Sequence, residues 1–142
     1  MTDRSKVLRF DGYRWDAVPV TAYKPMPDLF RDVTRQTLLG DGEGEDPLTF
    51  LTRYFEVQPG GYSTLERHEH PHAVVVLRGE GEVTLGERVH RIRPHDCVYV
   101  APDTPHQFRA TGEEPLGFIC VVDRERDRGR PVRETGNEKR EL

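Results

Sequence analysis

One stretch decides the fold: Gly60-Gly61-Tyr62-Ser63-Thr64-Leu65-Glu66-Arg67-His68-Glu69-His70-Pro71-His72-Ala73-Val74-Val75-Val76-Leu77-Arg78-Gly79. It opens on a Gly-Gly turn, passes through a histidine cluster and ends in a β-branched apolar run stopped by Gly79. Residues two apart on a strand project to one face, so Glu66, His68, His70 and His72 would share a face if the chain ran straight. Such groups are costly to bury unpaired, whereas one borderline-soft cation satisfies several of them together. The bland alternative is a solvated histidine-rich hairpin. It is weakened by a second, distant histidine in similar surroundings. His106 follows Val98-Tyr99-Val100-Ala101-Pro102-Asp103-Thr104-Pro105, a proline-bracketed turn that starts its strand at a fixed place.

Outward from this stretch, 13 glycines and 11 prolines break up any long helical period. The apolar runs between them, at 48–57, 73–77, 81–85, 97–100 and 116–122, are short and bounded by turn residues. That pattern predicts an all-β sandwich or barrel. Pro25 and Pro27 interrupt the one helical candidate, leaving room near 28–35 for a single turn before a strand at 34–39. One domain is expected. Its barrel core spans 48–122, after N-terminal strands and an acidic glycine-rich loop within 1–47 that pack on the barrel or on a partner subunit. Residues 123–142 have just Val132 and Leu142 as aliphatic side chains and are expected to be a charged, flexible tail.

Net charge of −4 argues against nucleic acid or an anionic membrane as partner. No apolar run approaches the ~18–20 residues of a membrane span, and the N-terminus lacks a signal-like apolar stretch. Two cysteines, Cys97 and Cys120, make no disulfide framework, so a cytoplasmic location is the expectation.

The histidine stretch resembles the first motif of the cupin superfamily, which reads Gly, five residues, His-x-His, three or four residues, Glu, six residues, Gly. Here Gly60 is followed by five residues, Glu66-x-His68, three residues, His72, six residues and Gly79. The spacing is kept, but Glu66 stands at the first histidine's place and His72 at the glutamate's. The stretch from Pro94-His95-Asp96 to His106 and Ala110 resembles the second motif. His95 replaces its glycine, Ala101-Pro102-Asp103 its Pro-x-Gly, and Ala110 its asparagine. The resemblance covers roughly 50–122. It implies a double-stranded β-helix, or jelly-roll barrel, around one divalent transition metal (Fe, Mn, Ni, Cu, Co or Zn). It also implies dioxygenase, isomerase or decarboxylase chemistry on a small organic molecule, dioxygenase being the commonest. A non-catalytic small-molecule binding or sensing module is the other reading of the same barrel.

The ligand list depends on register. If His68 and His70 were the H-x-H pair, Pro71 alone would have to reverse the chain before His72, which one residue cannot do. If Glu66 and His68 form the pair, 69–71 makes the turn and His72 opens the next strand. His68, His72 and His106 are thus the expected ligands, and Glu66 and His70 compete for the remaining position. Phe118 and Cys120 share a strand face, as do His106 and Phe108, which makes Phe108, Phe118 and Cys120 candidates for the cavity wall. Arg53 shares the face of Phe55 and offers a partner for an anionic substrate, although a surface arginine is the commoner outcome. Cys97 reads as core, and His90 and His95 as surface. Long apolar strands at a barrel edge predict a homodimer.

Overall fold

The fold is that of a computed structural model in which residues 3–24, 27–42, 44–126, 129–135 and 138–141 are described. A small hairpin, β1 (Phe10–Asp11) with β2 (Arg14–Trp15), precedes β3 (Thr21–Ala22), a 3-10 turn (Pro27–Leu29) and β4 (Arg31–Leu39). There follow β5 (Phe50–Tyr62), β6 (Glu66–Arg67), β7 (His72–Arg78), β8 (Gly81–Leu85), β9 (Arg88–Ile92) and β10 (Cys97–Val100). The chain ends in β11 (His106–Ala110), β12 (Leu116–Asp123), β13 (Arg130–Thr135) and β14 (Glu138–Glu141). Among the described residues no helix is long and apolar enough to cross a membrane.

The strand pairings are antiparallel. One layer runs β10-β7-β12-β5, extended beyond β5 by β4 and β3. The other runs β9-β8-β11, extended by β6, β13 and β14. β5 belongs to both: it lies between β12 and β4, and its last residue, Tyr62, pairs with Arg109 of β11. The curl comes at Gln58-Pro59-Gly60-Gly61, which the residue types suggest is a turn. The strand instead continues through it as a bulge, with Gly60 at φ 80° and the register to β4 shifting between Arg31 and Val33. Pro59 is tolerated because it falls where no ladder partner needs its missing N–H.

Alternation sorts the core. His72, Val74 and Val76 of β7 are buried, as are Leu116, Phe118, Cys120 and Val122 of β12, and Val98 and Val100 of β10. The same alternation turns Cys97 and Tyr99 outward, so Cys97 is exposed rather than part of the core. β5 defeats a reading by alternation because both of its faces are covered. Arg53 and Phe55 face the interior, while Tyr54 lies under the β1–β2 hairpin, its ring 5.8 Å from Tyr13 and 5.1 Å from Trp15. Each such aromatic pair adds about 0.5–1.5 kcal/mol beyond the area it buries.

Two regions flank the 48–122 core. β4 is a wall strand of the main sheet, since Val33 to Leu39 run along β5. Within 123–142, of which 127, 128, 136, 137 and 142 lie outside the described residues, the stretch Arg130–Thr135 is a strand. Its backbone pairs with β6 (Arg130 opposite Arg67, Pro131 opposite Glu66), Val132 is buried, and Arg130 donates to Asp103 at 2.6 Å. Backbone ladder bonds supply the ordering that composition does not reveal. The acidic loop is tied too: the Glu45 carboxylate accepts from the amides of Gly40 and Gly42 and pairs with Lys6 at 2.9 Å.

Candidate metal centre

β6 ends at Arg67 and β7 begins at His72, so the chain reverses within residues 68–71. The Asp103 amide donates to the His68 carbonyl at 2.6 Å and pins that reversal. Glu66 on β6 stands opposite His106, the first residue of β11, and His72 stands opposite Val100. These pairings bring residues far apart in sequence to one point in the barrel. His68, His70, His72, His106 and Glu66 are all buried.

One donor atom from each of His68, His72 and His106 lies within 4.8 Å of the other two. The partners of their outer nitrogens explain the convergence. His106 Nδ1 donates to the Thr104 carbonyl at 2.8 Å, which leaves its Nε2 bare. His68 Nε2 is 3.3 Å from a Glu66 oxygen, so its Nδ1 is bare when that N–H is donated. His72 Nδ1 lies 3.3 Å from Cys120 Sγ, and its Nε2 is 3.1 Å from His68 Nδ1. Two imidazole nitrogens bound tetrahedrally at ~2.0–2.1 Å from one ion sit about 3.3–3.4 Å apart. The His68–His72 separation is thus close to that of a shared ion. The outer nitrogens of His68 and His106 have the carboxylate and carbonyl partners that orient ligating histidines, with a sulfur in that place for His72.

The electrostatics suit neutral ligands. Burial, followed by the surrounding imidazoles and Arg53, pushes His72 down to about 2. Burial outweighs the Thr104 hydrogen bond and pushes His106 down to about 4. Burial alone would raise Glu66, but the hydrogen bond from His68 and the charge and hydrogen bond of Lys24 win and pull it down to about 2. Lys24 Nζ reaches both Glu66 oxygens at 2.5 Å, and Tyr23 donates to one of them at 3.4 Å. The carboxylate is therefore already engaged. His70 packs beside the cluster, its ring 4.4 Å from that of His68 and 4.8 Å from that of His72.

The histidines open into a cavity of about 800 Å³. Phe55, Phe108, Phe118 and Cys120 form its apolar wall, with ring centroids 5.6 Å apart for Phe55–Phe118 and 4.3 Å for Phe108–Phe118. His90 and His95 are exposed and away from it. Sequence reasoning missed Tyr23, Lys24, Arg35 and Arg126, all of which line it. Arg35 carries a faint signal, two residues from Val33 on one strand; Lys24 and Arg126 lie in stretches without periodicity.

Comparison with known proteins agrees with this architecture. A cupin domain is recognised over residues 53–122. The 1-methylthio-D-xylulose 5-phosphate methylsulfurylase of Rhodospirillum rubrum is 49% identical over 117 residues, which are 82% of this chain and 72% of that protein. A solved cupin-2 domain from Rhodospirillum rubrum superposes with a TM-score of 0.77 at 44% identity, covering 94% of this chain and 86% of that one. A cupin 2 conserved barrel protein from Rhodopseudomonas palustris gives 0.80 at 43% identity, covering 94% and 89%.

Proposed function

The chain belongs to the cupin family, and from that premise we propose that it is a metal-dependent enzyme acting on a small organic molecule. The proposed substrate resembles the methylthio sugar phosphate in the name of its Rhodospirillum rubrum relative. The observation that carries the metal is the convergence of His68, His72 and His106, each with its outer nitrogen anchored. A divalent metal held there would act as a Lewis acid on a substrate oxygen.

The chain's own residues do the rest. His68, His72 and His106 are the proposed ligands, and Glu66, clamped by Lys24, positions the His68 ring. The Thr104 carbonyl and Cys120 sulfur do the same for His106 and His72. The phenylalanine wall keeps water from the substrate's apolar part. Dioxygenase chemistry, the commonest in the family, rests on resemblance alone here. Carbon–sulfur chemistry is preferred because it comes from a relative 49% identical over most of this chain. We also propose a homodimer. β10 ends its sheet, and its outer face joins Tyr99 (67% exposed) and Cys97 to Ala73 and Val75 on β7, an apolar stripe suited to a second copy.

Elemental analysis of gently purified protein tests the centre. About one metal per chain is expected in wild type, with His68→Ala and His106→Ala losing at least the ~10–100-fold in affinity typical of weaker outer-sphere changes. Equal metal content in all three would end the metal reading. Incubation of the loaded protein with 1-methylthio-D-xylulose 5-phosphate, under oxygen and without it, separates the chemistries. Turnover without oxygen uptake supports the proposal, stoichiometric uptake would turn it to a dioxygenase, and tight binding without turnover to a binding module.

A further inference from the structure

We propose that Arg35, Arg53 and Arg126 form an anion subsite that takes the phosphoryl group of a phosphate monoester. The inference rests on the proposed function and names what holds the end of the substrate that the histidines do not.

Three guanidiniums enter the cavity, from β4, from β5 and from the chain after β12. The β4–β5 register sets Arg35 opposite Phe55 and Thr37 opposite Arg53, so both arginines share the inner face with Phe55. Cys120 stands opposite Arg53 on the other side. Arg53 is 8% exposed and its guanidinium lies 4.8 Å over the Phe55 ring. Arg35 is half-buried and Arg126 sits exposed at the mouth.

A buried arginine ordinarily has a carboxylate partner. Among the described residues none of these three has one. The Nε atoms of Arg35 and Arg53 are buried without any hydrogen-bond partner. Arg53 Nη2 reaches only Cys120 Sγ, at 3.6 Å, and Arg126 donates to the carbonyls of Asp123 and Arg124. Among the described residues, exposed Asp41 is the carboxylate whose charge reaches Arg35 and Arg126, and it forms an ion pair with neither. Burial and then repulsion from Arg53 hold both of those guanidiniums below their ordinary range. Three like charges are thus gathered in one wall, with donors unsatisfied.

The size of that charge selects the ligand. A carboxylate is met by the fork of a single guanidinium, whereas a phosphate monoester presents about two negative charges on three terminal oxygens and suits several. Position agrees. Cys120 Sγ touches His72 Nδ1 at 3.3 Å on one side and Arg53 Nη2 at 3.6 Å on the other. One sulfur atom separates the two halves of the site, so a sugar phosphate of a few carbons spans both.

The test is the melting of the full-length protein, before and after chelator treatment, with inorganic phosphate or acetate added at constant ionic strength. Phosphate is expected to raise the Tm in both preparations and acetate is not. Arg53→Met keeps the volume and removes a buried like charge, so its phosphate-free Tm should equal or exceed that of wild type while the phosphate response disappears. The Arg35→Gln/Arg126→Gln double variant, at less buried positions, should bind phosphate at least tenfold more weakly with an unchanged phosphate-free Tm. A phosphate response that persists in these variants, or one matched by acetate, overturns the subsite. A protein that binds no metal yet responds to phosphate through the arginines keeps the subsite and removes the metal centre, so the two failures are distinguishable.

Discussion

Acidifying the metal-free protein from pH 7 to pH 5 should cost it about 4 kcal/mol of stability through His72 and His106 alone. In the folded chain burial holds these imidazoles down to about 2 and about 4, against an ordinary value of 6.5. Between those values the unfolded chain binds protons that the folded one refuses, so stability rises with pH across the window and falls on acidification. For a group moved this far, the two-unit step from just above the unfolded value is worth about 2 kcal/mol. Glu66 works in a lower window. Its value is pulled from 4.5 to about 2, so its stabilisation is present above 4.5 and is lost only as pH falls below that. Between pH 7 and pH 5 the histidines are therefore read almost alone among these three.

With a urea slope of about 2 kcal/mol/M, the loss shifts the midpoint by about 2 M, a large part of a domain's ~5–15 kcal/mol. The assay is urea unfolding of chelator-treated protein at both pH values, followed by tryptophan fluorescence and by circular dichroism. His106→Gln should remove about half of the pH dependence and His72→Gln the other half. Coincident wild-type midpoints at pH 7 and pH 5 would show that these histidines are not held neutral by the fold, as would full dependence in both variants.

Gly129 sits where a Cβ would lie 2.5 Å from Glu66 Oε2 and 2.5 Å from His68 Nε2. Gly129→Ala should push β13 off β6 or disturb the Glu66–His68 pair, costing about 1–3 kcal/mol and weakening metal binding. An unchanged Tm together with unchanged metal affinity would remove Gly129 from the account. Sedimentation should find a dimer that Tyr99→Lys dissociates, and a wild-type monomer at high concentration would end the dimer proposal.

The fold was legible because its punctuation was local. Turn residues at Gly79, Gly86 and Pro94 bound strands whose alternation is clean, as in β7 and β10. The departures from the cupin motifs also carried meaning. His95 and Asp103 stand where the second motif has glycines, and they take φ of 79° and 59°, the left-handed region those glycines would fill freely. What stayed hidden depends on layers meeting. Tyr54 is buried because the β1–β2 hairpin folds over it, and β13 is a strand because β6 and β14 offer it edges. Arg53 was visible as an inward-facing possibility. Its burial without a carboxylate partner among the described residues was not, since no local pattern reports such a gap.

Lys24 is what separates Glu66 from His70 as candidates for a fourth ligand. To ligate, Glu66 would have to turn from a lysine that holds both its oxygens at 2.5 Å, and would release the His68 Nε2 it now accepts from. Breaking a buried pair by removing one partner costs about 3–5 kcal/mol, and the side chain of Lys24 is only 29% exposed. That loss would fall on the group that orients a neighbouring ligand. His70 is buried, its ring packed against those of His68 and His72. The arrangement therefore favours three histidine ligands, with Glu66 fixing His68 from behind and His70 beside the positions left open to substrate. Replacing Glu66 by Gln should then weaken metal binding without abolishing it, whereas replacing His106 should abolish it.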